Sequence, residues 1–312
     1  MVYLVPVALL AVLLAAHLTV CAVIYRMLFV PPRPSHVDDY VFTPWEFQVD
    51  YEEVDLVTAD SVNFPVWFLR QSGSRQTIVV SAGHKATRHA TLGISMALWR
   101  KGFNVLIYSY RGTPGADRRA ISMGVKEVNE LQATIAFARR KIKDSRIGLL
   151  GYSMGAVVSM LGAAGEPSVE ALVLDSPYSD LTQLLNENLR RRLLLPGPSF
   201  TAVVAFMLRR RTGARISDSS PIAVLGALEP RPLFLIHGGA DEVTSVQHSR
   251  RLYDGYRGPR EIWIVQGAPH VGAYFADRTL YVERVAGFFA RHLGLSGRNG
   301  QLRLVDEEDA VS

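Results

Sequence analysis

Cysteine is nearly absent: Cys21 is the one thiol in 312 residues, so no intrachain disulfide can form and packing alone must hold the fold. No Cys and His residues fall at zinc-ligand spacing, and nothing in the pattern calls for a metal or any other cofactor. Charge of one sign is also scarce. The net charge is +5, and the arginines gather in short clusters instead of an even basic surface, which argues against a nucleic-acid partner. With 48% hydrophobic and 20% charged residues, the chain is not of disordered composition and can bury one large α/β core. No internal repeat is visible. The sharpest absence is local: residues 1–25 contain no Asp, Glu, Lys or Arg.

A mostly apolar helix of that length can cross a hydrocarbon core of roughly 30 Å. Residues 1–26 therefore read as a retained membrane anchor, with His17 the one side chain before Arg26 whose ordinary pKa lies near neutral pH. A cleaved signal peptide is the alternative, but no Lys or Arg precedes the apolar run and no small-x-small cleavage site follows it. Arg26 and Arg33 lie after the span with nothing basic before it, which leans toward a cytoplasmic catalytic domain. Pro31, Pro32 and Pro34, followed by His36, Asp38 and Asp39, read as an extended linker over 27–49 that lifts the domain off the membrane. The polar residues 295–312 read as a disordered tail.

Between linker and tail, over 50–294, the chain has a strand-helix rhythm. Segments 54–58 and 65–69 read as two opening strands joined at Asp60-Ser61. Runs at 77–81, 104–108, 146–150, 171–175, 232–237 and 261–265 are short and apolar without alternation, as suits strands buried on both faces. Helical patterns at 92–100, 125–141 and 281–293 complete a mostly parallel central sheet flanked by helices. Between Asp175 and Pro232 the rhythm breaks into two helical patterns, read as a lid insertion over about 178–228. It carries Arg190, Arg191, Arg192, Arg209, Arg210, Arg211 and Arg215 beside leucines. Such helices can lie on an anionic membrane, or pack their apolar face on the domain with the arginines in water.

Gly151-Tyr152-Ser153-Met154-Gly155 joins one of these strands to a small, apolar helix. In such a turn the serine is held in a strained conformation with its hydroxyl pushed outward, and its neighbours two residues away must lack bulk. The turn also aims the Met154 N–H toward an oxygen on the carbon that Ser153 attacks. A serine needs a base, and the base needs a carboxylate to orient it. Asp241 and His270 follow two successive strands, in loops on the side of the sheet where Ser153 emerges. Asp175 is an alternative acid. His237 reads as structural, and His248 as part of a solvated helix face. The second oxyanion donor is expected from the loop Ala82-Gly83-His84-Lys85, as the backbone N–H of His84. Tyr110-Arg111-Gly112 reads as fixing a neighbouring loop.

From about Tyr51 to Leu293 the chain resembles the α/β-hydrolase superfamily, in particular membrane-anchored serine hydrolases of the serine-aminopeptidase-like and Bem46-like group. The resemblance rests on Tyr108-Ser109-Tyr110-Arg111-Gly112, the Ser153 pentad, Asp175-Ser176-Pro177, His237-Gly238-Gly239-Ala240-Asp241 and His270. It implies an α/β-hydrolase fold and hydrolysis of an ester, thioester or amide through an acyl-enzyme on Ser153. Two departures stand out: Ala82-Gly83 where His-Gly is common, and Asp60-Ser61 where Asp-Gly is common. The expected substrate is a small-molecule or lipid acyl compound. A peptidase acting at a free amino terminus would need acids such as Asp180, Glu187 or Asp218 at the site. A non-catalytic, membrane-tethered binding protein is the reading from another class.

Overall fold

The computed structural model describes residues 4–32, 42–194 and 196–295. Residues 33–41 of the expected linker and 296–312 of the expected tail lie outside the described residues.

Eight strands form one sheet: β1 (Glu52–Val57), β2 (Asn63–Leu69), β3 (Gln76–Ser81), β4 (Asn104–Tyr108), β5 (Arg146–Tyr152), β6 (Val169–Asp175), β7 (Leu233–Gly238) and β8 (Arg260–Val265). Their order is β1-β2-β4-β3-β5-β6-β7-β8. The pairs β1–β2 and β2–β4 are antiparallel, and every other pair is parallel. The chain's order reverses at β3, so the loops after β3 and β5 diverge to open a crevice at the carboxyl ends of the strands.

Burial on both faces explains the unalternating strands. Ile78, Val80, Val105 and Ile107 pack beneath α2 (Leu92–Arg100), while Val79 and Leu106 point the other way, toward α3 (Val128–Lys141) and α4 (Met154–Ala164). The edge strand β1 instead shows Glu52 and Glu53 to solvent, paired with Lys141 and Arg88, and such charges discourage pairing with a second chain. Helix α3 starts at Val128, not 125, because the Glu127 carboxylate accepts from the N–H groups of Ser122 and Gly124 at 2.8 Å and ties off a turn first. Arg111 bridges Asp60 at 2.7 Å and the fully buried Glu130 at 2.8 Å, fastening the end of β4 to the first hairpin and to α3. Burial raises the Glu130 carboxyl to about 7 against the pull of that guanidinium.

Two helices, α5 (Leu181–Leu193) and α6 (Gly197–Thr212), stand where the rhythm broke. The short α7 (Leu225–Leu228) and α8 (Gln247–Gly255) follow, then α9 (Ala273–Ala276) and α10 (Arg278–Leu293), which covers the sheet beside α2. Arg190, Arg209, Arg210, Arg211 and Arg215 are exposed, while Leu181, Leu185, Leu189, Val204 and Leu208 are buried, so the lid packs its apolar side inward. Asp180 caps α5 by accepting from the Gln183 N–H at 2.9 Å.

The apolar N-terminus forms α1 (Leu4–Phe29), long and apolar enough to cross a membrane. Its position corrects the expectation of a domain held off by a linker. The first half is exposed, but Cys21, Tyr25 and Phe29, spaced four apart on one face, are buried against the lid and the sheet's helical layer. His17 stacks on Phe200 of α6 with ring centroids 4.0 Å apart. The C-terminal half of α1 is thus an element of the domain.

Candidate active site

The turn after β5 has the strain its sequence requires. Ser153 stands at φ 53 and ψ −117, a conformation disfavoured for a residue with a Cβ. Both glycines are dictated by contact: a Cβ at Gly151 would lie 2.4 Å from the Gly155 carbonyl oxygen, and one at Gly155 would lie 2.2 Å from that of Ser81. The serine backbone N–H donates to the Asp175 carbonyl at 2.8 Å, locking the elbow to β6.

The loops after β7 and β8 bring their side chains to that serine. His270 Nε2 is 2.9 Å from Ser153 Oγ, and His270 Nδ1 is 2.6 Å from Asp241 Oδ2. A carboxylate can only accept, so Nδ1 carries the proton and Nε2 is left to accept from the serine hydroxyl. Asp241 is itself held by the N–H groups of Val243 and Thr244, each 2.8 Å from Oδ1. Burial alone would raise its carboxyl, but the donors His237 and His270 outweigh it and hold Asp241 well below the usual carboxylate range. It stays ionised wherever an imidazolium would need a counter-charge.

Two expected oxyanion donors flank the serine. Met154 opens α4, where helix N–H groups have no partner within the helix. Gly83 lies so close that a Cβ on it would be 3.7 Å from Ser153 Cβ, which sets the backbone of the Gly83–His84 loop beside the nucleophile. The His84 side chain turns away, with Nε2 2.6 Å from the Leu28 carbonyl oxygen at the end of α1. Burial lowers the affinity of this imidazole for a proton, with the Leu28 carbonyl pulling the other way.

A family model of the alpha/beta hydrolase fold matches residues 88–220. The chain is 30% identical to the uncharacterized protein YqkD of Bacillus subtilis over 190 residues, 60% of this chain and 62% of that relative. It is 24% identical to the alpha/beta hydrolase domain-containing protein WAV2 of Arabidopsis thaliana, over 73% of this chain and 74% of that one. An esterase of Pyrococcus furiosus superposes with a TM-score of 0.70 at 24% identity, covering 86% of this chain and 99% of that one. The chain has the α/β-hydrolase fold.

Within this α/β-hydrolase fold, Ser153 and His270 open into a cavity of about 860 Å³. Its wall combines Leu181, Leu184, Leu185 and Leu189 of the lid with Val20, Ile24 and Leu28 of α1, and among the described residues it is lined by no Asp, Glu, Lys or Arg. Asp180, Glu187 and Asp218 are therefore not among its lining. Glu187 is engaged elsewhere, accepting from Gln183 at 2.8 Å and lying 3.1 Å from His248 Nε2.

Asp175 and His248 take places that sequence spacing did not give, while His237, read as structural, is hydrogen-bonded inside the fold. Asp175 is fully buried and accepts from Ser176 Oγ at 2.9 Å and Tyr281 OH at 2.8 Å, not from His270. His248 is buried, not solvated: Nδ1 is 2.8 Å from Ser179 Oγ, tying α8 to the start of the lid. His237 donates from Nε2 to the Thr244 carbonyl at 2.8 Å, which leaves Nδ1 to accept from Ser249 Oγ at 2.7 Å. The same Nε2 lies 3.2 Å from Asp241 Oδ2. His237 thus steadies both the carboxylate and its loop, and its spacing of four from Asp241 was the available signal. Ser176 plays a related part beneath His270, where Oγ accepts from the Val271 N–H at 3.2 Å.

Proposed function

We propose that this α/β-hydrolase is a membrane-anchored serine hydrolase that cleaves carboxylic esters of apolar acyl groups. The observation that carries the reading is the unbroken hydrogen-bonded chain from Ser153 Oγ through His270 to Asp241 at the floor of an apolar cavity. Ser153 Oγ attacks the acyl carbon while His270 Nε2 takes its proton, and Asp241 stabilises the imidazolium. The carbonyl oxygen, now negative, receives the N–H groups of Met154 and His84. Collapse of the tetrahedral species breaks the bond to the leaving alcohol, which leaves with the proton from His270. Water then attacks the acyl-serine with the same base, giving acid and alcohol and restoring the enzyme. Thioesters and amides can follow the same route.

The apolar length of α1 and Arg26 after its exposed part support a single span with the catalytic domain on the cytoplasmic side. Kinship with the serine-aminopeptidase-like and Bem46-like group belongs to this proposal. Cleavage at a free amino terminus is disfavoured, because a buried ammonium needs a carboxylate and the described residues of the cavity lining offer none. The test is labelling of the full chain in membranes by a fluorophosphonate. The native protein is expected to label, and Ser153→Ala and His270→Ala are not. A folded native chain that fails to label refutes serine catalysis and favours the binding-protein reading.

A further inference from the structure

The C-terminal half of α1 presents three stripes of residues, each spaced four apart. Cys21, Tyr25 and Phe29 are the docked one. Val20, Ile24 and Leu28 are half-buried, Thr19, Val23 and Met27 are exposed, and both of these stripes line the cavity that holds Ser153. The putting-together is built in. Carbonyls in the last turn of a helix lack partners within it, and here His84 Nε2 and Lys85 Nζ reach those of Leu28 and Met27 at 2.6 Å, while the Ile121 N–H donates to Phe29 at 2.9 Å. Two of those donors come from the loop that flanks the nucleophile.

Geometry along the helix fixes where the cavity opens. A span needs about 20 residues to cross the hydrocarbon, so an immersed stretch counted from Leu4 reaches about Val23. Val23 lies at that level and Met27 one turn beyond it, and with Phe275 they give the cavity an exposed, largely apolar rim, 52%, 66% and 67% exposed, while the hydroxyl of the one exposed polar residue of α1 in the lining, Thr19, donates to the Ala15 carbonyl at 2.8 Å. An apolar rim continuous with a membrane-spanning helix matches the edge of a bilayer, not bulk water. A volume of about 860 Å³ lies toward the upper end of pockets that take whole small ligands, roughly 300–1,000 Å³.

We propose that α1 is one wall of an acyl-chain site, and that the substrate is a long-chain ester resident in the membrane. Its chain passes from the bilayer along the Val20–Ile24–Leu28 stripe and brings its carbonyl to Ser153. The proposal rests on the serine-hydrolase reading above. It assigns α1 a role in substrate selection that a tether alone does not have.

The test uses the full chain in phosphatidylcholine nanodiscs and a long-chain alkyl fluorophosphonate with a diazirine at the chain terminus. Phosphonylation pins the head group on Ser153, and light then fixes the chain where it lies. Adducts on the α1 peptide spanning Val20 to Met27 are expected; adducts confined to α5 or to the sheet overturn the proposal. In parallel, Ile24→Trp should lower the ratio of kcat/KM for a dodecanoyl ester over a butanoyl ester by about tenfold or more. Val12→Trp, on the exposed half of α1 outside the cavity, should leave that ratio at the native value. An unchanged ratio in Ile24→Trp counts against the proposal while leaving the hydrolase reading intact. Failure of the native chain to react with either fluorophosphonate or ester brings down the hydrolase reading first, and this proposal with it.

Discussion

Gly238 closes β7 directly beneath the loop that carries His270, and replacing it with alanine tests the candidate site without touching a reacting group. A Cβ there would lie 2.3 Å from the Pro269 carbonyl oxygen and 2.4 Å from that of Ala268. Both are backbone atoms, so neither can swing aside as a flexible side chain would. Restoring a separation of at least 3.0 Å requires the loop to retreat by about 0.7 Å. Pro269 is bonded to His270, whose two ring nitrogens lie 2.6 Å and 2.9 Å from Asp241 and Ser153. A retreat of that size lengthens at least one of these contacts. Misplacement on the order of 1 Å costs about 100-fold, so the second-order rate of Ser153 phosphonylation should fall by roughly 30- to 100-fold. Overpacking itself costs about 1–3 kcal/mol, which a thermal melt will register as a modest shift. Gly165→Ala is the matched control, because nothing lies within 4 Å of its Cβ position, and it should keep the native rate. A Gly238→Ala protein that labels at the native rate would refute the claim that this loop is positioned by β7.

Asp241→Asn keeps the shape but cannot hold a proton on His270 Nδ1, and ester turnover should fall by about a thousandfold or more; a loss below tenfold would remove Asp241 from the proposed triad. Burial raises the Asp175 carboxyl to about 6 against its donors Tyr281 and Ser176. Its ionised form therefore penalises the native state above that pH, and the penalty is relieved as pH falls from about 6 toward the ordinary 3.8. Asp175→Asn should be more stable than the native chain by about 2–3 kcal/mol at pH 7, and melts should show the gap closing toward pH 4; a gap that widens on acidification contradicts the assignment. His84→Ala removes the hydrogen bond to Leu28, worth about 1 kcal/mol, and should slow phosphonylation several-fold. Combined with removal of residues 1–30, which slows it by the same route, the two losses should not add; full additivity would mean that α1 and the loop beside Ser153 are not coupled.

What the sequence disclosed and what it withheld divide along a physical line. Unalternating apolar runs locate β3 to β7 because a strand covered on both faces has no polar side to show. Gly151 and Gly155 disclose the elbow because close backbone approach permits no Cβ there. Asp241 and His270 are legible because each follows a recognisable strand, and parallel strands deliver their following loops to one end of the sheet. His248 misleads for the converse reason. A histidine on the polar side of a helical pattern reads as solvated, but Ser179 and Glu187, more than sixty positions earlier, supply the partners that make its burial tolerable. Periodicity reports how a segment divides its own faces, not which distant side chains will meet the polar one.

Helix α1 is the extreme case of that limit. Cys21, Tyr25 and Phe29 form a docking face of small and aromatic residues, but they sit in a segment apolar on every side, so no contrast marks them. A bilayer and a protein core make the same demand on composition, and the sequence could state only that water was excluded. What separates the two is the helix end. A span continued by a loose linker would leave the carbonyls of its last turn to water, whereas here His84, Lys85 and the Ile121 N–H take those of Leu28, Met27 and Phe29. Those donors are provided by the domain, two of them from the loop beside the nucleophile, so the position of the helix and the shape of the site are set by the same bonds. Under the two proposals above, membrane attachment and substrate recognition become one structural property: whatever shifted α1 in a bilayer would also shift a wall of the cavity and the loop that flanks Ser153.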